Sequence, residues 1–358
     1  MTGAVITALG CHSPVGIGVD QTCASIRAGI ARLQAYDDYV ALGPEFAEAE
    51  PDPISYAPAP SLPGGADLER RLGALATRAV ADLAPRSRLT RADFHDAHVL
   101  LALPESSREG ITDLDGERMI HALRKASSLA FESGQRTFHD GHVAALLALD
   151  AAGQIISENT ASRCLVVAVD SGVLDPNLDR LDQAWRLKSQ RNVDGFVPGE
   201  AGVAILVESA DSAERRGATV LARLGEVGTG EETNPASSDV QSTATGLSGA
   251  IGIACPDATE SPIRWVICDL NGESYRGHEW GVALTRLGSK LQSPVIWHPA
   301  ENTGDVGAAS AALHVCIASS AFSRGYAPAD RALVWCASDS NRRAACVIGA
   351  PGTSQEAH

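Results

Sequence analysis

The sequence predicts an α/β fold made of two similar halves, residues 1–210 and 211–358, and three observations carry that expectation. Apolar, strand-like runs at residues 5–9, 98–103 and 164–169 alternate with helix-like segments, the pattern of a layered α/β fold. The same logic restarts in the second half with the run at 263–269 (IRWVICD). Between them lies the stretch around which the rest is organised, residues 194–208 (DGFVPGEAGVAILVE). Its right half, Val203, Ala204, Ile205, Leu206 and Val207, reads as a buried strand. Its left half holds Gly195, Pro198, Gly199 and Gly202, residues suited to a tight reversal. The expectation is a strand–turn–strand unit with Glu200 at the bend.

Composition narrows the function classes. A chain of 358 residues, 44% hydrophobic and 20% charged, has the make-up of an ordinary globular protein with a large core. No apolar run reaches the ~18–20 residues of a membrane span, and the opening MTGAVITALG lacks the basic flank of a signal peptide. A cytoplasmic protein is expected. Its eight cysteines have no C-x-x-C spacing, and Cys164, Cys268, Cys316 and Cys346 sit in apolar runs. They read as reduced core thiols, not as a disulfide frame or a zinc site. A formal charge of −15 argues against nucleic acid and anionic membrane as partners.

Taken in order, residues 5–9 (VITAL) form a first strand and 10–18 a loop. Asp20 stands where an N-cap belongs, and 21–28 form a short helix stopped by Gly29. A phosphate loop at Gly16-x-Gly18 is excluded because Gln21 stands where the third glycine would be needed. Residues 36–67, rich in Pro, Ala and acids, are expected as a loop or lid. Asp67 opens a helix with Leu68, Leu72, Leu75 and Leu83 on one face, closing before Pro85. A strand at 98–103 ends at Pro104, and 114–130 is helical in pattern. A short strand (QRTF) then leads through His139-Asp140-Gly141 into an apolar helix (HVAALLALDAA). The strand at 164–169 is followed by Asp170-Ser171 and a helix over 178–188. An Arg215-Arg216-Gly217-Ala218 turn precedes a further strand, within 214–228.

In the second half, the polar stretch 229–249 is expected to be a loop. The strand at 263–269 leads to Leu270-Asn271-Gly272, 277–290 is helical and 294–298 is a strand. Residues from Asn302 onward (NTGDVGAASAALHVCIASSAF) begin a long buried helix, and 333–336 and 345–348 close the fold as a strand pair.

The opening (SPVGIGVDQT), the GFVPGE stretch and the GDVGAAS helix start together resemble the β-ketoacyl synthases of the thiolase superfamily, in the right order from Val5 to about Gly349. The resemblance implies the thiolase-like fold, two similar βα halves in a layered αβαβα arrangement. It also implies what is missing. The family carries a catalytic cysteine in a strand–turn–helix elbow, where the helix N-terminus stabilises thiolate charge. Here that position reads His139, and no cysteine lies between Cys23 and Cys164. The first catalytic histidine of the family falls on Asn271 and the second on Gly304, followed by Asp305. The family's glycine-rich closing turn is replaced by SDSNRR. The candidate site is thus a vestigial pocket of His139, His142, Asn271, Gly304 and Asp305, with no catalytic residue of the family intact.

Other constellations carry less. His139-Asp140-x-His142 resembles a metal pair but shows no third ligand at suitable spacing, so no metal and no cofactor is expected. No G-x-S-x-G elbow is present. Two function classes follow. One is a catalytically inactive ketosynthase-like protein that acts as a binding or assembly partner. It would be a chain-length-factor-like subunit beside an active synthase, a partner of a carrier protein, or a helper of a secretion effector such as type VI. The other is an acyl-thioester enzyme, an acyltransferase or decarboxylase, with His139 or His142 as base. A condensation needs a covalent acyl carrier and oxygen-stabilising donors, and losing them together favours the first class. The resemblance also implies a homodimer, although the strand that would pair across its twofold axis is short and polar (GQRTF).

Overall fold

The computed structural model describes residues 3–43, 52–62, 67–108, 114–127, 129, 133–238, 240–256 and 261–352. The first half contains β1 (Ala4–Ser13), β2 (Gly16–Ile17), α1 (Val19–Arg27), β3 (Gln34–Ala41), β4 (Asp52–Tyr56), α2 (Leu68–Ser87), β5 (His98–Ala102), α3 (Gly116–Ser127), β6 (Gly134–Phe138), α4 (Ala144–Ser157), β7 (Arg163–Ser171), α5 (Asp175–Gln183), β8 (Glu200–Ser209) and α6 (Ala210–Arg215). The second contains β9 (Ala222–Glu231), α7 (Thr245–Ala254), β10 (Ile263–Cys268), α8 (Ser274–Leu287), β11 (Leu291–Trp297), α9 (Ala300–Thr303), α10 (Ser310–Ser323), β12 (Arg331–Ala337) and β13 (Arg342–Gly349).

The strand order is written twice. In the first half it runs β6–β5–β7–β8–β1, with β6, β5 and β7 parallel and β8 antiparallel to both β7 and β1. In the second it runs β11–β10–β12–β13–β9, with β11, β10 and β12 parallel and β13 antiparallel to β12 and β9. The strands expected at 5–9 and 263–269 thus fall in the two five-strand runs of a single 11-stranded sheet, not in two separate sheets. Their hydrogen bonding is continuous across a short seam, where β1 meets β9 at Val5↔Arg223 and Ile6↔Ala222.

Burial explains the layers. Helices α4 and α10 lie in one core with the inward faces of β1, β5, β7, β8, β10 and β12, so both are apolar around much of their circumference. Helices α2 and α3 cover the outer face of the first half, and α7 and α8 that of the second. Among the described residues no helix is long and apolar enough to cross a membrane.

Several expectations change. The stretch at 194–208 is not a hairpin. Strand β8 finds its partners in β7 and β1, while residues 196–199 cross the molecule as a strap. Asp305 N donates to Val197 O, Gly199 N to Asp305 O, and Ala57 N to Pro198 O, each at 2.8 Å. Gly199 is needed there, because a Cβ would sit 2.2 Å from Thr303 O. Glu200 is fully buried at the start of β8 and accepts from the Arg71 guanidinium, Ser171 Oγ (2.8 Å) and Ala59 N (2.8 Å). Strand β1 extends through the expected loop to Ser13, and Gly18, not Asp20, caps α1. Helix α2 runs past Pro85, which costs one hydrogen bond to the Ala81 carbonyl; both residues are solvent-exposed. The lid at 36–67 contains the β3–β4 pair, and the loop at 229–249 contains the end of β9 and the start of α7. Residues 44–51 and 63–66 of that lid, and Ser128 and Ala130 of the helix expected at 114–130, lie outside the described residues.

Candidate functional site

The two buried helices start in the same way. After β6 the chain passes His139 and Asp140 to Gly141, in the left-handed region at φ 59°, makes a short 3₁₀ turn over Gly141–Val143 and enters α4. After α9 it passes Gly304 and Asp305 to Gly307, at φ 51°, makes a 3₁₀ turn over Gly307–Ala309 and enters α10. A Cβ on Gly307 would lie 2.0 Å from Asp170 Oδ2, so glycine alone fits. Asp170 Oδ2 instead accepts from Ala308 N at 2.9 Å.

The two helix starts bring His142 and Asp305 together. His142 Nε2 donates to Asp305 Oδ1 at 2.8 Å, and Asn271, just past β10, donates from Nδ2 to Asp305 Oδ2 at 2.7 Å. Gly307 N adds a bond to Asp305 Oδ1 at 2.8 Å. The contact chain continues outward. Asn271 Nδ2 reaches Glu273 Oε2 (3.1 Å), and Glu273 takes both sides of the Arg186 guanidinium at 2.7 and 2.8 Å. Arg186 also holds Asp339 at 2.7 and 3.0 Å, and Arg276 joins Asp269 (2.9 Å) to Asp339 (3.3 Å). His142, Asp269, Arg276 and Asp305 are all buried.

Electrostatics fix the protonation states. Burial alone would lower the His142 pKa, but the adjacent Asp305 carboxylate outweighs it and raises the value to about 9. Burial likewise opposes the Asp305 charge, and His142 with Arg276 overrides it, holding the carboxyl well below its usual range. The site therefore contains an imidazolium–carboxylate pair at neutral pH. His142 has no lone pair to act as base, and Asp305 has both oxygens occupied.

Of the expected residues, His142, Asn271 and Asp305 converge. His139 is half-buried and stands apart: its carbonyl accepts from Ser106 N at 3.4 Å, and among the described residues its ring makes no hydrogen bond. Gly304, the position matched to the second histidine, sends no group into the site. Its φ is 66° and a Cβ would meet Val197 O at 2.8 Å, so the side chain entering the site is that of Asp305. Asp140 pairs with Arg342 at 2.9 Å, which turns it away from a metal role beside His142. At the elbow, Val143 N is occupied by Ser338 Oγ at 3.2 Å.

Sequence reasoning missed the ion pairs behind the site: Glu273, Arg276, Asp269, Arg186 and Asp339. Their signal was the charged SDSNRR turn, which supplies Ser338 and Asp339. A cavity of about 150 Å³ opens beside the pair, lined by His142, Asp305, Asp339, Arg108, Asp170 and Arg180 among others. No thiol reaches it. All eight cysteines are buried, and burial pushes Cys23 and Cys164 up to about 12 and Cys336 further still. The one Cys–His contact among the described residues, Cys336 Sγ to His314 Nδ1 at 3.7 Å, is equally inert, because burial lowers His314 to about 3.

Comparison with solved structures places this architecture. The chain superposes on a type II PKS acyl-carrier protein complex with its ketosynthase bound to the hexaketide, with a TM-score of 0.78 and 16% identity over 98% of this chain and 99% of the other. For the ishigamide ketosynthase/chain length factor the values are 0.79 and 17%, over 98% and 100%. For a β-ketoacyl synthase from Burkholderia phymatum they are 0.73 and 16%, over 98% and 100%. No protein-family model matches the sequence, and no curated protein sequence matches it. The chain therefore has the thiolase-type fold of the β-ketoacyl synthases, essentially from end to end.

Proposed function

We propose that this protein is a catalytically silent ketosynthase-like subunit that works as a binding and assembly partner, of the chain-length-factor kind. One observation carries the reading: every cysteine is buried and none lines the cavity beside the His142–Asp305 pair. An acyl-enzyme needs an exposed, activated nucleophile. The likeness to a ketosynthase/chain length factor and to a ketosynthase in complex with a carrier protein supports a partner of the same type, an active synthase subunit or a carrier protein. Strand β6 ends its sheet with an edge that no described strand covers, so pairing through it, with a second copy or with a synthase subunit, is open. A helper role beside a type VI secretion effector uses the same non-catalytic fold. The reading includes a cytoplasmic location and a division into halves at residues 1–210 and 211–358, supported by the repeated strand order.

Intact-mass spectrometry after incubation with acyl-CoA or acyl carrier protein tests it. The expected spectrum shows no added mass. A stoichiometric acyl shift that disappears in His139→Ala, or in any one Cys→Ala variant, overturns the reading in favour of an acyl-thioester enzyme.

A further inference from the structure

At the opposite end of α10 from Asp305 lies a larger cleft, of about 400 Å³, floored by Thr7, Ala8 and Leu9 of β1. It is walled by the start of α1, the C-terminal ends of α2 and α10, and the loop after α6. Four arginines line it, Arg86, Arg88, Arg216 and Arg324, against one acid, Asp20. With Asp82 and Glu208, which lie behind Arg86 and Arg216, the cluster is four cations against three anions, in a chain with 44 acidic and 29 basic residues.

Three of the four guanidiniums are fixed in place. Asp20 accepts Arg86 Nη1 on one oxygen (2.7 Å) and Arg324 Nη2 on the other (2.6 Å), which sets the two side by side. Arg86 Nε is held by Asp82 (2.9 Å), and Arg216 by Glu208 and by Ser87 O (2.9 Å). A guanidinium has five N–H donors, so Arg86 and Arg324 each keep donors that these carboxylates do not take. Arg88 differs from the rest. It is exposed, makes no ion pair among the described residues, and caps α2 in the left-handed region at φ 55°. Glycine or asparagine is favoured at that position, and an arginine there is disfavoured by its Cβ. Nothing in the packing of α2 calls for it.

Fixed arginines bind phosphate oxygens through paired, charge-assisted bonds, and small-ligand pockets have volumes of about 300–1,000 Å³. We infer that this cleft is a binding site for a small organic phosphate of about nucleotide size, with Arg88 and Arg324 as its anion contacts. The inference does not depend on whether the His142 site is catalytic.

Calorimetric titration of the full chain with ATP, coenzyme A, inorganic phosphate and uncharged adenosine tests it, using the wild type, Arg88→Gly and Arg324→Gln. Arg88→Gly is chosen because glycine suits φ 55°, so the variant keeps or raises thermal stability and any loss of affinity is not unfolding. The expected result is saturable binding of ATP or coenzyme A that weakens about tenfold in each variant and falls with added salt. Adenosine should not bind. The site is refuted if none of the phosphates binds saturably, if inorganic phosphate alone binds, if adenosine binds as tightly as ATP, or if both variants bind like wild type.

Discussion

His142 and Asp305 meet at 2.8 Å although they are 163 positions apart, because each lies within two residues of the glycine that starts one of the two buried helices. The duplicated fold brings these helix starts face to face, and the pair bridges the two halves. Its stability contribution depends on both charges.

The pH dependence follows from the direction of each shift. The His142 pKa is raised from 6.5 to about 9, so its contribution is complete below 6.5 and is lost as pH rises through 9. The Asp305 pKa is depressed below 3.8, so its contribution is present above that value and is lost as pH falls through the lowered one. Urea unfolding at a series of pH values should show the stability gap between wild type and His142→Gln shrinking by roughly 3 kcal/mol from pH ~6.5 to ~9.5. A gap that stays flat or widens over that range means His142 is neutral in the folded protein.

Removing both partners should cost less than the sum of the two single losses. Asp305→Ala leaves a buried imidazolium and strands the donors of Asn271 and Gly307, for an expected loss of about 3–5 kcal/mol. In the double variant with His142→Ala, the second change should cost about 2 kcal/mol less than it does alone. Additive losses would show that the two side chains are not coupled.

The scaffold was legible in the sequence because its strands are continuous apolar runs, as in 164–169 and 263–269, and both faces of those strands are covered. The elements that were missed are polar or glycine-rich for reasons that appear only in three dimensions. Helix α7 (TGLSGAIGIA) reads as loop because of its glycines, yet Gly246 lies against Glu231 and Glu232, where a Cβ would come within 2.6 Å of backbone. The β3–β4 pair is stabilised from outside, with Tyr36 and Tyr39 bonded to Asp175 and Asp179 of α5. At the site, Asn271 and Asp305 could be placed by resemblance. Glu273, Arg186 and Asp339 could not, because no local pattern announces a pairing between residues 87 and 153 positions apart.

The thiols give a simpler test. With all eight cysteines buried, and those from Cys11 to Cys346 whose shifts are resolved pushed upward by burial, the native protein should take up almost no maleimide at neutral pH. The denatured protein should take up eight equivalents. One thiol labelling rapidly in the native state would identify an accessible nucleophile and weaken the case for a silent elbow.

The repeated sheet leaves a repeated steric requirement. On β1, a Cβ at Gly10 would lie 2.1 Å from Ala79 O and 2.6 Å from Leu83 N of α2. On β9, a Cβ at Gly228 would lie 2.0 Å from Ala250 O and 2.9 Å from Ala254 N of α7. In both halves the covering helix rests on a bare strand backbone, and the opposing atoms are main chain, which cannot rotate aside. Gly10→Ala and Gly228→Ala must therefore push a whole helix off its sheet, with an expected cost of about 3 kcal/mol or more each. Gly73 in α2 is the matched control. Nothing lies within 4 Å of its would-be Cβ, so Gly73→Ala should stabilise the helix by about 0.5–1 kcal/mol. Thermal unfolding of the three variants reads the result. Opposite signs for Gly10 and Gly73 support the close contact of α2 with β1, whereas a neutral Gly10→Ala shows that the helix rides higher than this packing requires.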